Sequence, residues 1–290
     1  MSCYEGLITV GEEGFSILSQ FYQHDRDLPL RARTLQRVEN ETYLREKIVF
    51  RGLHNSRVPG ILTLPAHGSR SYPCILLAHG MGGSKEERST VGPEGTSITQ
   101  ELLSAGFSVL ALDGPWQGER MVEIDYESIY SYIRPNNYRE LIVQWTVEHR
   151  LALDYLERRA EIDSRRIGIL GYSLGGVMTF NLAGLEPRLK AAVTASTVPL
   201  SRHYMQRIGW DETALQRMSP IAPQTFAPEI KSASFLMLNG IADPYSTPEL
   251  LQELYAAIAC PDKELVLFDS GHALPEEHRR NTVEWFQKYI

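Results

Sequence analysis

The chain has 290 residues, 43% of them apolar and 22% charged, with a formal charge of -7; this is the composition of a globular protein with a sizeable core and excludes wholesale disorder. An acidic balance without any run of Lys and Arg excludes a phosphate-backbone partner, so no nucleic acid is expected. Apolar runs such as CILLA and VLAL are too short to cross a bilayer, so no membrane is expected either.

In chain order, residues 1–44 read as an N-terminal extension packed on the core, with GFSILSQFY suited to a short helix and DLPLRARTLQRVENE to an extended cover over the sheet. The remainder, 45–290, reads as one domain. Its strand candidates are KIVF (47–50), VPGILTL (58–64), CILLAHG (74–80), FSVLALDG (107–114), RIGILGY (166–172), AAVTAS (191–196), SFLMLNG (234–240) and ELVLFDSG (264–271). Several are continuously apolar, as parallel strands covered on both faces are. The first two are joined only by RGLHNSR, too short for a crossover helix, and are expected to pair antiparallel.

Helical patterns fill the intervals. RELIVQWTVEHRLALDYLERRAEID (139–163) sets Leu141, Trp145, Leu151 and Tyr155 at helical spacing. Further patterns follow Thr96, Ser173 and Ser246, and PEEHRRNTVEWFQKYI closes the chain with Pro275 suited to a first helical turn. Such alternation specifies an α/β fold: a mostly parallel, eight-stranded sheet with helices on both faces. Two insertions, near 121–138 and 197–230, are long enough for a small cap.

The chemistry centres on RIGILGYSLGG (166–176), where Ser173 lies between Gly171 and Gly175, directly after a strand and before a helical pattern. Glycines at those places let a strand reverse sharply into a helix and lift the serine out of the sheet. A serine hydroxyl is a poor nucleophile without a base to take its proton. His272, on the loop after the last strand, is the best base, and Asp243, just past the penultimate strand, is the orienting carboxylate. Asp269 is its rival, but at a strand end it reads as a local acceptor.

An oxyanion also needs amide donors. The loop HGMGGSKEE offers the amide of Met81, and the residue after the nucleophile, Leu174, offers the second. His79 reads as a brace for that loop, and Asp113 and Arg120 in ALDGPWQGER as structural anchors. Trp116, Tyr172 and Tyr245 are candidate pocket residues. No metal or organic cofactor is called for: Cys3, Cys74 and Cys260 have no C-x-x-C spacing and give neither a zinc site nor a disulfide framework.

VPGILTLPA, LLAHGMGGSKE, ALDGPWQGER, the segment ending in GYSLGG, SPIAPQTFAP, LMLNGIADPYSTP and GHALPEE, in that order, resemble the α/β-hydrolase superfamily. Within it they are similar to the serine esterases of the dienelactone hydrolase and prolyl-oligopeptidase-like group, over about residues 45–290. The resemblance implies an α/β-hydrolase fold and ester cleavage through an acyl-enzyme. Dienelactone hydrolases proper carry cysteine where this chain has Ser173, which disfavours dienelactone as substrate; dehalogenases and epoxide hydrolases carry aspartate there. The tyrosine-rich insertions of mixed polarity favour a small-molecule ester with a small or medium acyl group over long-chain lipid. A peptidase or thioesterase using the same residues stays open, as does a ligand-binding protein on a hydrolase scaffold. The odd cysteine count and an acidic N-terminus without a cationic leader point to a cytoplasmic protein, and self-association into a homo-oligomer is compatible with the sequence.

Overall fold

The computed structural model describes residues 2–66, 71–89 and 95–290. Its strands are β1 (Arg33–Glu39), β2 (Tyr43–Arg51), β3 (Arg57–Pro65), β4 (Tyr72–Ala78), β5 (Ser108–Leu112), β6 (Ile162–Tyr172), β7 (Leu189–Ala195), β8 (Ser234–Gly240) and β9 (Lys263–Phe268). They form one sheet in the order β1-β2-β3-β5-β4-β6-β7-β8-β9. The pairs β1/β2, β2/β3 and β3/β5 are antiparallel, and every pair from β5 to β9 is parallel. As the short connection requires, β2 and β3 pair as neighbours, with Ile48 opposite Gly60.

The sheet therefore has nine strands among the described residues, not the expected eight. The additional strand is β1, within the segment read as an extended cover. All seven of its residues are exposed, so no apolar alternation marks it, and main-chain pairing with β2 defines it. The expected boundary after residue 44 consequently falls inside β2.

Helices α1 (Glu12–Gln20), α2 (Ile98–Ser104), α3 (Ile129–Tyr132), α4 (Pro135–Leu156), α5 (Leu174–Leu185), α6 (Arg202–Ile208), α7 (Glu212–Met218), α8 (Pro223–Phe226), α9 (Pro248–Ala257) and α10 (Glu277–Tyr289) complete the fold. Side chains alternate across each strand, and the core divides accordingly. Ile75, Leu77, Val109, Leu170, Val193 and Leu238 pack with Leu102 of α2 and Phe286 of α10. On the other face Leu76, Leu110, Ile169 and Met237 pack with Trp145 of α4, Phe180 of α5 and Leu251 of α9. None of these helices, nor any other among the described residues, is long and apolar enough to cross a membrane.

Local chemistry sets the helix ends. Ser97 caps α2 in a reciprocal box with Gln100, and Asp211 and Thr247 accept from the first-turn amides of α7 and α9. The long amphipathic helix begins earlier than its pattern, at Pro135, and stops at Leu156. The last residues of that pattern already belong to β6, which starts at Ile162. Pro275 stands just ahead of α10 instead of in its first turn, and its carbonyl accepts from the His278 amide at 3.1 Å.

The chain leaves β4 toward β5 on one side and later returns to β6 on the other. The carboxyl ends of β4 and β6 thus face a topological switch point, the crevice in which open α/β sheets place their sites.

Candidate active site

At the end of β6 the backbone turns through Ser173 at φ 50° and ψ −109°, a conformation L-residues adopt only under constraint. The Ser173 amide donates to the Ala195 carbonyl at 2.8 Å, tying the corner to β7. A Cβ on Gly175 would lie 2.5 Å from the Ala78 carbonyl oxygen, and one on Gly171 would collide with Thr179 and Gly175. The glycines are needed because β4, β6 and α5 meet here without room for side chains. Ser173 is left at the first turn of α5, where unpaired amides favour negative charge.

His272, on the loop after β9, brings Nε2 to 2.9 Å from Ser173 Oγ. Its Nδ1 lies 2.7 Å from Asp243 Oδ2. A carboxylate only accepts, so Nδ1 carries the proton and Nε2 is free to accept the serine O–H. The Asp243 side chain is fully buried, and its other oxygen accepts from the Tyr245 amide at 2.9 Å. The histidine loop is latched by Ser196, whose Oγ donates to the His272 carbonyl at 2.6 Å and whose φ is 55°. Sequence reasoning passed over Ser196; its position at the carboxyl end of β7 was the available cue. Asp269, the rival carboxylate, is exposed and forms no hydrogen bond or ion pair with the His272 ring, whose partners are Asp243 and Ser173.

The loop after β4 approaches the same corner: a Cβ on Gly80 would come within 3.8 Å of the Ser173 Cβ. His79 lies inside the protein and fixes the loop. Its Nδ1–H donates to the Gly80 carbonyl at 2.7 Å, and its Nε2 accepts from the Gly114 amide at 3.0 Å. Burial lowers its pKa to about 4, so the ring is neutral as this pattern demands. The Gly80 carbonyl also accepts from the Gly83 amide at 3.1 Å. With that carbonyl held and the peptide trans, the Met81 N–H projects to the opposite side. Neither the Met81 amide nor the Leu174 amide finds an acceptor among the described residues.

ALDGPWQGER forms the base of this loop. Asp113 accepts from the Lys85 amide and ammonium, both at 2.8 Å, and from the Glu119 amide at 3.0 Å. Arg120 is buried in a two-pronged pair with Glu148 at 2.5 and 3.1 Å. Both therefore sit as anchors.

A cavity of about 690 Å³ opens over Ser173 and His272 and is also lined by Met81, Leu174 and Tyr245. Tyr130, Ile133 and Arg134 from one insertion and Tyr204, Arg207 and Trp210 from the other form its outer wall. Two of the expected pocket residues stand elsewhere. Trp116 packs edge-on against Tyr132 at 5.0 Å, beneath the insertion. Tyr172 points to the α2 and α10 face, because the strand alternation persists to its last residue. Its ring lies 3.6 Å under the Arg88 guanidinium and its hydroxyl donates to His278 Nε2 at 3.1 Å. Among the described residues no group of three or more His, Cys, Asp or Glu is placed to hold a metal ion.

Residues 58–289 match the dienelactone hydrolase family, a span that contains every residue of this constellation. The chain belongs to the dienelactone hydrolase family. It is thereby a hydrolase of the α/β-hydrolase superfamily. Along nearly its whole length this family member is 25% identical to the protein YtaP of Bacillus subtilis (strain 168), over 90% of this chain and 93% of that one. Its fold is similar to acetyl xylan esterase 1 from Thermoanaerobacterium sp. JW/SL YS485, with a TM-score of 0.78 at 17% identity over 97% of this chain and 94% of that one. The acetyl xylan esterase from Paenibacillus sp. R4 gives 0.72 at 22% identity over 96% and 93%.

Proposed function

We propose that the protein is a serine hydrolase that cleaves carboxylic esters of small or medium acyl groups through an acyl-enzyme intermediate. The observation that carries this reading is the unbroken hydrogen-bond chain from Ser173 Oγ through His272 to Asp243, with distances of 2.9 and 2.7 Å, at the floor of a cavity. His272 Nε2 takes the serine proton as Oγ attacks the ester carbonyl, and Asp243 stabilises the imidazolium that forms. The oxyanion is received by the Met81 and Leu174 amides, which have no acceptor among the described residues. His272 then gives its proton to the departing alcohol, and water, activated by the same nitrogen, releases the acid and restores Ser173.

Two features support a small acyl group. The cavity wall over Ser173 is of mixed polarity, with Arg134 and Arg207 beside Tyr130, Tyr204 and Trp210, and two proteins of similar fold are acetyl xylan esterases. The test is a series of p-nitrophenyl esters, with fluorophosphonate labelling and Ser173→Ala as control. Acetate and butyrate are expected to be hydrolysed well and palmitate poorly, with labelling and turnover both lost in Ser173→Ala. A wild-type protein that neither labels nor hydrolyses any member of the series would overturn the proposal.

A further inference from the structure

The peptide that follows Met81 is held at both ends, and by different parts of the chain. Its carbonyl oxygen accepts from the Tyr130 hydroxyl at 3.0 Å. Its N–H, which belongs to Gly82, donates to Gln117 Oε1 at 2.7 Å. Gly82 has φ +75°, and its Cα is covered by the Tyr130 ring, which a Cβ there would approach to 3.1 Å. A glycine at this position imposes no preference of its own between the two signs of φ. The orientation of the peptide is therefore set by the two side chains that grip it. Gln117 is buried and sits on the base segment, whereas Tyr130 belongs to α3 in the 121–138 insertion and is 63% exposed.

His79 fixes the peptide before Met81 and the Tyr130 and Gln117 pair fixes the one after it, so the Met81 Cα is immobilised from both sides. We infer that Tyr130 is a positioning residue for acyl transfer: through the Met81 carbonyl, the cap insertion aligns the oxyanion loop. This inference rests on the esterase reading above and extends it, because it makes the cap a part of the apparatus that stabilises the transition state. An amide that binds the oxyanion acts only once the tetrahedral intermediate forms, so misalignment lowers kcat and leaves ground-state binding alone.

The experiment compares wild type, Tyr130→Phe and Tyr130→Ala on p-nitrophenyl acetate, and measures inhibition by a trifluoromethyl ketone, whose serine-bound hemiketal presents an oxyanion. Tyr130→Phe keeps the ring over Gly82 and removes only the hydroxyl. It is expected to lower kcat by about tenfold, to keep KM within about twofold, and to weaken the ketone by the same factor as kcat/KM. Its melting temperature stays at the wild-type value, because the side chain is largely exposed. Tyr130→Ala, which also uncovers Gly82, lowers kcat further. Unchanged kcat and ketone inhibition in Tyr130→Phe would overturn the inference while leaving the esterase reading intact. So would a loss confined to KM, which marks a residue that only lines the pocket. Absence of ester hydrolysis in wild type would overturn the esterase reading and this inference together.

Discussion

Ser173 is held at φ 50°, and Asp243 is a fully buried carboxylate whose two oxygens are taken up by His272 and the Tyr245 amide. An amide in place of this carboxylate would favour the wrong imidazole tautomer, so Asp243→Asn is expected to lower kcat/KM by about 10⁴-fold in steady-state ester hydrolysis. Asp269→Asn, at an exposed position, is expected to leave it within twofold, roughly the scatter of a neutral surface change. The reverse pattern would reassign the carboxylate. Ser173, Asp243 and His272 stand out in the sequence because the roles proposed for them admit few residue types and each lies in a connection shortly after a strand. Tyr172 was misplaced for a physical reason: a residue type says what a side chain offers, and the pleat decides which face receives it; Trp116 lies past the end of β5, at φ 61°, and its ring packs on Tyr132. Tyr172 ends β6 on the α2 and α10 side, away from the cavity.

At the scale of elements, the central strands announce themselves because burial on both faces demands unbroken apolar runs: β4 and β8 are buried at every residue. β1 is silent for the opposite reason, being exposed throughout and specified by its ladder with β2. Packing between elements extends to the site itself. Trp145 of α4 is fully buried, and its ring centroid lies 4.9 Å from that of His79, the residue that orients the Gly80–Met81 peptide. Removing it leaves a large cavity on that side of the sheet, so Trp145→Ala is expected to cost about 3–5 kcal/mol in urea unfolding. It should also lower kcat in whatever folded protein remains, since His79 loses its wall. A variant with wild-type stability would show that α4 does not carry the load assigned to it.

For the molecule as a whole, burial of neutral imidazoles couples stability to pH. Burial lowers the pKa values of His79 and His149 to about 4, from an ordinary value of 6.5. Between those values the unfolded chain binds protons that the folded protein refuses, so stability is complete above about pH 6.5 and falls as pH drops toward 4. Urea midpoints measured across that window are expected to decline steadily, and His149→Gln is expected to flatten the decline; a flat wild-type profile would contradict the burial of these rings as neutral bases. The overall architecture was legible because the order of strands, elbow, carboxylate and histidine is a topological property carried by the sequence. The hydrogen bond from Tyr130 to the Met81 carbonyl was not, since the two lie 49 residues apart and nothing in either segment names the other. Whether Ser173 is the nucleophile is decided by peptide mass mapping after stoichiometric reaction with a fluorophosphonate. A single adduct is expected on the peptide containing Ser173, formed in step with loss of ester hydrolysis. An active protein that is inactivated with the adduct elsewhere, or that stays active with Ser173 modified, would contradict it.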